Sequence, residues 1–121
     1  MNTPIMIGAG LMALTTGVHV FAGGPEIMRP IRKADLPREV IATADVVWHG
    51  ITVILALTAI GLAWLAFNTN PPLLWMLTGV QLGFAALFVG YGLTRLGNLT
   101  KMPQWIIFTG VPALTLWGAY A

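Results

Sequence analysis

The chain has 121 residues, 57% of them hydrophobic and only 8% charged, with a formal net charge of +2. Soluble domains carry about 25% charged residues, so a mean hydropathy of +0.82 leaves too little polar surface to clothe a soluble globule. Most of the surface is expected to face lipid, and the slight positive charge excludes the broad basic face that nucleic-acid binding requires.

There are no cysteines. Disulfides, thiolate metal sites and thiol catalysis are thereby excluded. The first apolar run, Ile5 to Ala22, has no basic residue before it. A cleavable signal needs a positive n-region, so this run reads as a retained first span.

Four apolar segments can be read as membrane spans, a crossing taking about 20 helical residues. The first is Pro4 to Ala22, with Pro4 early in the helix and Gly23-Gly24-Pro25 ending it. In the loop that follows, Ile27, Met28 and Ile31 can dip into the interface while Arg29, Arg32 and Lys33 meet headgroups. Asp35 looks like an N-cap, with Pro37 in the first turn of the second helix. That helix is expected from Leu36 to about Phe67, its crossing portion being about 46–67. Asn68-Thr69-Asn70-Pro71-Pro72 reads as a tight turn. The third helix runs from Leu73 to about Leu96, where Gly97-Asn98 stops it. Pro103 opens the fourth, about 103–120, with a kink expected at Pro112. The expected fold is an all-α membrane protein: one integral domain, 1–121, forming a four-transmembrane-helix bundle of two antiparallel hairpins.

All six basic residues fall in the first and third connections: Arg29, Arg32, Lys33 and Arg38, then Arg95 and Lys101. By the positive-inside rule, those connections are cytoplasmic and both termini lie outside. The aromatic residues agree with that orientation. Trp48, Tyr91 and Trp105 mark one interface, and Trp64, Trp75, Trp117 and Tyr120 the other.

Gly79, Gly83, Ala86 and Gly90 form a small-residue stripe on the third helix, and Ala9, Ala13 and Gly17 another on the first. Such stripes let helices approach closely in lipid. Contacts inside the bundle are expected for them, while the free helix surface leaves room for a homo-oligomer or a larger membrane complex.

Depth brings certain polar groups to one level. His19 and His49 each lie about one turn from the cytoplasmic end of antiparallel neighbouring spans, and Asp45 shares a helical face with His49. Glu26 begins the connector, and Tyr91, Arg95, Gln104 and Thr109 arrive at roughly the same level. A polar layer is therefore expected there. Its simplest role is a hydrogen bond from His19 across the helix pair. The functional alternatives are a metal ion held by His19, His49, Asp45 and Glu26, a haem b between the two histidines, or proton handling. Gln81, alone near mid-membrane, reads as an interhelical hydrogen bond or, functionally, as a contact in a central path. Thr15, Thr16, Thr52 and Thr58 read as bonding back to helical carbonyls. There is no serine, no phosphate-cradling glycine loop and no HExxH.

The stretch HVFAGGPEIMRPI at 19–31, followed by VWHG at 47–50, resembles small four-span bacterial inner-membrane proteins that have no assigned function. The histidine, Gly-Gly and basic loop are also loosely similar to small membrane proteins that handle haem or copper, which implies a bound metal or haem. With no complete catalytic set in the chain, the leading expectation is a non-enzymatic accessory or scaffolding protein that presents its basic loop to anionic headgroups or to a partner, with Arg29, Arg32, Lys33, Arg38 and Lys101 as the headgroup-binding residues. A metal- or haem-binding protein is the second expectation, and a small oligomeric transporter or channel the third.

Overall fold

A computed structural model describes all 121 residues as four helices: α1 (Thr3–Lys33), α2 (Arg38–Leu65), α3 (Pro71–Leu96) and α4 (Trp105–Tyr120). The first three are long and apolar enough to cross a membrane, consistent with an integral membrane protein, and α4 is a shorter apolar helix of 16 residues.

The first helix does not stop at Gly23-Gly24-Pro25. It passes through a π-helical stretch, His19–Met28, and resumes as α-helix over Arg29–Lys33. A proline inside an α-helix collides with the carbonyl four residues back. The wider π turn, bonded from residue i to i−5, moves that carbonyl aside. Its closing bond runs from the Arg29 amide to the Gly24 carbonyl. The segment read as a loop is therefore a helical arm, and Ile27 and the charged residues around it are exposed, whereas Met28 is buried.

Asp35 does not cap α2. Pro37 occupies the cap position, no side chain bonds the free amides, and Glu39 in the first turn supplies the charge that favours a helix N-terminus. The α2–α3 turn ends two residues earlier than expected: Pro71 and Pro72 form the first turn of α3, and Asn70 caps it by accepting a hydrogen bond from the Leu73 amide at 3.0 Å. At the far end α3 widens into a π turn, Gly92–Leu96, and Gly97 closes it at φ 63°. The Asn98 amide donates to the Gly92 carbonyl there, as in left-handed glycine caps. Pro103 precedes the last helix rather than opening it, and Pro112 lies buried within it.

Each helix touches two others: α1 packs against α2 and α4, and α3 packs against α4 and, least extensively, against α2. Ile5, Ala9 and Met12 of α1 meet Leu55 and Leu62 of α2, Leu77 and Ala85 of α3, and Phe108 and Val111 of α4 in one core. In lipid such packing rests on close van der Waals contact rather than on exclusion of water. Two glycines permit it: a methyl on Gly8 would lie 2.6 Å from Thr115 Cγ2, and one on Gly61 would lie 2.8 Å from Leu77 Cδ1.

The small-residue contacts expected of α3 are not made. Gly79, Gly83, Ala86 and Gly90 all lie on the exposed face of α3, and nothing stands within 4 Å of where a side chain would begin on the three glycines. The buried face of α3 carries Leu74, Leu77, Thr78, Gln81 and Ala85 instead. On α1, Ala9 is buried but Ala13 is exposed.

Candidate functional site

The polar groups expected in one layer separate into pairs and solitary residues. His19, at the start of the π stretch, stacks on Trp48 with ring centroids 4.0 Å apart and planes 16° from parallel. Its Nε2 donates to the Trp48 carbonyl at 3.0 Å. A carbonyl has no proton to give, so Nε2 carries the proton of this bond. The simplest reading, a hydrogen bond across the helix pair, describes this residue. Trp48 is flanked on another side by Gly23, where a methyl would sit 3.1 Å from the indole. That close approach explains a glycine in the middle of a helix.

Asp45 turns to Arg32 rather than to His49. The guanidinium donates from Nη2 to Oδ1 at 2.6 Å and from Nε to the same oxygen at 3.1 Å. Both groups stand on the exposed extension beyond the apolar crossing portions. The hydrogen bonds from Arg32, with its charge, hold the Asp45 carboxyl below the usual carboxylate range. This is the only salt bridge in the molecule. Arg29, Lys33, Arg38, Arg95 and Lys101 are exposed without a carboxylate partner.

Glu26, His49, Tyr91, Arg95 and Gln104 are all exposed. No three His, Asp or Glu side chains converge to hold a metal ion, so the set His19, His49, Asp45 and Glu26 is not assembled. The reason lies in the helix: with α1 unbroken through Gly24, Glu26 is carried along an exposed arm instead of turning back toward the histidines. Thr109 bonds to the Trp105 and Ile106 carbonyls of its own helix.

Gln81 is 1% exposed. Its Nε2 donates to the Leu77 carbonyl of its own helix at 3.1 Å, while Oε1 and the neighbouring buried Thr78 hydroxyl have no partner. The expected bond to another helix is absent. Thr15, Thr16, Thr52 and Thr58 do bond back to the carbonyls four residues earlier, at 2.8 to 3.2 Å.

The densest polar linkage is at the opposite, uncharged end. Asn2 caps α1 by accepting from the Ile5 amide, donates from Nδ2 to the Gly118 carbonyl at 2.8 Å, and donates its amide to the Ala66 carbonyl at 2.7 Å. One residue thus ties α1 to the ends of α2 and α4. Trp75 Nε1 donates to the Tyr120 hydroxyl at 2.9 Å, joining α3 to α4. Beside this knot is a cleft of about 210 Å³, with Asn2, Asn68, Asn70 and Tyr120 at its walls and Ile5, Leu65 and Leu74 on its floor. It offers the neutral hydrogen-bonding groups of its asparagines, Thr69 and Tyr120, and its lining carries no carboxylate or basic side chain. The sequence does contain a signal for the knot: Asn directly before Thr-Pro at a helix start is capping chemistry.

Compared with known protein families, curated proteins and solved structures, the chain matches none.

Proposed function

We propose that this is a small non-enzymatic protein of a bacterial inner membrane, acting as an accessory or scaffolding component. In this reading its four helices form a bundle of two antiparallel hairpins with both termini outside, and the arms ending at Lys33 and beginning at Arg38 project on the cytoplasmic side. The observation that carries it is the pair of helical arms itself, extending beyond the apolar portions of α1 and α2 and clamped by Arg32 and Asp45. The antiparallel order is supported by contacts of Asn2 with Ala66, His19 with Trp48 and Arg32 with Asp45.

Charge decides what such arms offer. Between residues 26 and 45, Arg29, Arg32, Lys33 and Arg38 are balanced by Glu26, Asp35, Glu39 and Asp45. A segment with no net charge gains little from the potential of an anionic membrane surface, which acts on each positive charge and against each negative one. The positive-inside rule counts Lys and Arg rather than net charge, so the orientation stands. Mixed charges alternating with exposed Leu36 and Val40 suit a protein partner better than a lipid surface.

Native gel analysis of mild-detergent extracts of the source membranes tests the reading. The protein is expected in an assembly well above its 13.0 kDa monomer, and a variant with Arg38→Glu and Glu39→Arg is expected to leave that assembly. Migration of the wild type as a free monomer would contradict it, as would substrate turnover by the purified chain.

A further inference from the structure

The net charge of +2 resides outside the projecting arms, on Arg95 and Lys101. Neither has a carboxylate partner. Arg95 lies in the last turn of α3 and Lys101 in the connection that follows it. α2 and α3 pack closely near their connecting turn, where Leu77 covers Gly61. Farther along they leave between them an open groove of about 420 Å³, lined by Ile54 of α2 and by Gly79, Val80, Gly83, Phe84 and Leu87 of α3. The glycines make its floor low, and Ile54, Phe84 and Leu87 make its walls.

The groove runs toward the positive charge. From Leu87 the same face of α3 continues through Tyr91 to Arg95, at steps of four residues. In an α-helix a four-residue step overshoots one turn slightly. In a π turn, bonded from residue i to i−5, it falls slightly short. Because Gly92–Leu96 is π-helical, the drift from Leu87 to Tyr91 is undone between Tyr91 and Arg95, and Arg95 returns to line with the groove. Gly79 to Leu87 spans about 12 Å along the axis at 1.5 Å per residue, close to half of a ~30 Å hydrocarbon layer.

We infer that this groove binds one anionic phospholipid of the leaflet on the charged side, its acyl chain along Gly79, Gly83 and Leu87 and its phosphate at Arg95. The lining is apolar where an acyl chain would lie, and an unpaired cation follows on the same face of α3 about two turns beyond Leu87. The site rests on the membrane reading alone and is independent of any partner at the projecting arms.

The test is native mass spectrometry of protein released from nanodiscs of equal phosphatidylglycerol and phosphatidylcholine. Wild type is expected to retain one phosphatidylglycerol per chain in preference to phosphatidylcholine. Gly83→Leu, which adds bulk where nothing stands within 4 Å and so leaves the helix packing alone, is expected to lose the retained lipid of both kinds. Arg95→Gln is expected to lower the preference for phosphatidylglycerol about fivefold, the effect of ~1 kcal/mol per basic side chain at an anionic surface. Arg38→Gln on the arms is expected to change nothing. Equal retention of the two lipids, retention unmoved by Gly83→Leu, or a lipid-free dimer that Gly83→Leu dissociates would each overturn the site. An altered assembly size in native gels with unaltered lipid retention would fault the scaffolding role and leave this site standing.

Discussion

The two ends of the molecule hold polar residues in opposite ways. At the uncharged end, Asn2 alone bonds to α1, α2 and α4, and Trp75 and Tyr120 join α3 to α4. At the charged end, ten ionisable side chains or more yield one salt bridge and one histidine bond, and the rest stand free. The difference follows from solvation. A short neutral carboxamide gives up less than a charged group on leaving water and recovers the loss by donating and accepting at once. A charged group gives up far more, and remains solvated unless a partner compensates it. Stability therefore concentrates where the charges are not.

The largest effects are expected at the knot. Gly118→Ala would place a methyl 2.7 Å from both Asn2 Oδ1 and Pro4 Cβ. It is expected to cost about 1–3 kcal/mol, the usual range for overpacking, in reversible unfolding from mixed micelles. Asn2→Ala removes a helix cap and a bond between helices, and a loss of about 1–2 kcal/mol is expected in the same assay. If either change were silent, the uncharged end would not be the tied one. In mid-membrane, Gly8→Ala is expected to destabilise by about 1–3 kcal/mol through Thr115 Cγ2. Thr115→Ser, which removes that methyl, should restore most of the loss, a coupling that a double-mutant cycle reads directly.

Gln81→Leu sharpens the comparison from the core. Its Oε1 is buried without a partner, so an apolar side chain of similar size is expected to leave stability unchanged or to raise it slightly. A clear loss would show that the carboxamide has a partner in the membrane. The smallest effect is expected at the arms. The Arg32–Asp45 pair is exposed, with side-chain exposures of 49% and 33%, and Asp45→Asn should leave the unfolding midpoint within error. The pH dependence has a definite sign. A carboxyl whose folded-state value is lowered contributes fully above its ordinary range and loses that contribution as pH falls through the lowered value. Exchange of arm amides should accordingly quicken only in acid, and in Asp45→Asn it should not depend on pH beyond the intrinsic rate.

Much of this architecture is legible in the letters, for reasons that differ by residue. The apolar segments, the turn before Asn70 and the stop at Gly97 follow from local chemistry that no neighbour overrides. The four helical threonines bond back as expected, because within an apolar helix a hydroxyl has the carbonyl one turn earlier within reach. Gly23-Gly24-Pro25 misleads, since those letters break an α-helix and a π turn accommodates them. The Gly79–Gly90 stripe shows which residues share a face of α3, but periodicity carries no direction, and that face points outward. The expected polar layer fails for a related reason. Equal depth puts His19 and His49 at one level, yet Nε2 of His19 finds the Trp48 carbonyl and His49 is exposed. Depth is set by sequence position, whereas the direction of a side chain is set by packing between helices.

The continuity of α1 separates the two ends and turns a presumed loop into an arm. Amide hydrogen exchange over residues 23–33, measured by NMR in lipid nanodiscs, tests it most directly. Helical bonds through the π stretch, including that of the Arg29 amide to Gly24, should give protection that continues past Gly24 and fades only near Lys33. Uniformly fast exchange from Gly23 onward would contradict the continuous helix, and with it the arms that it carries.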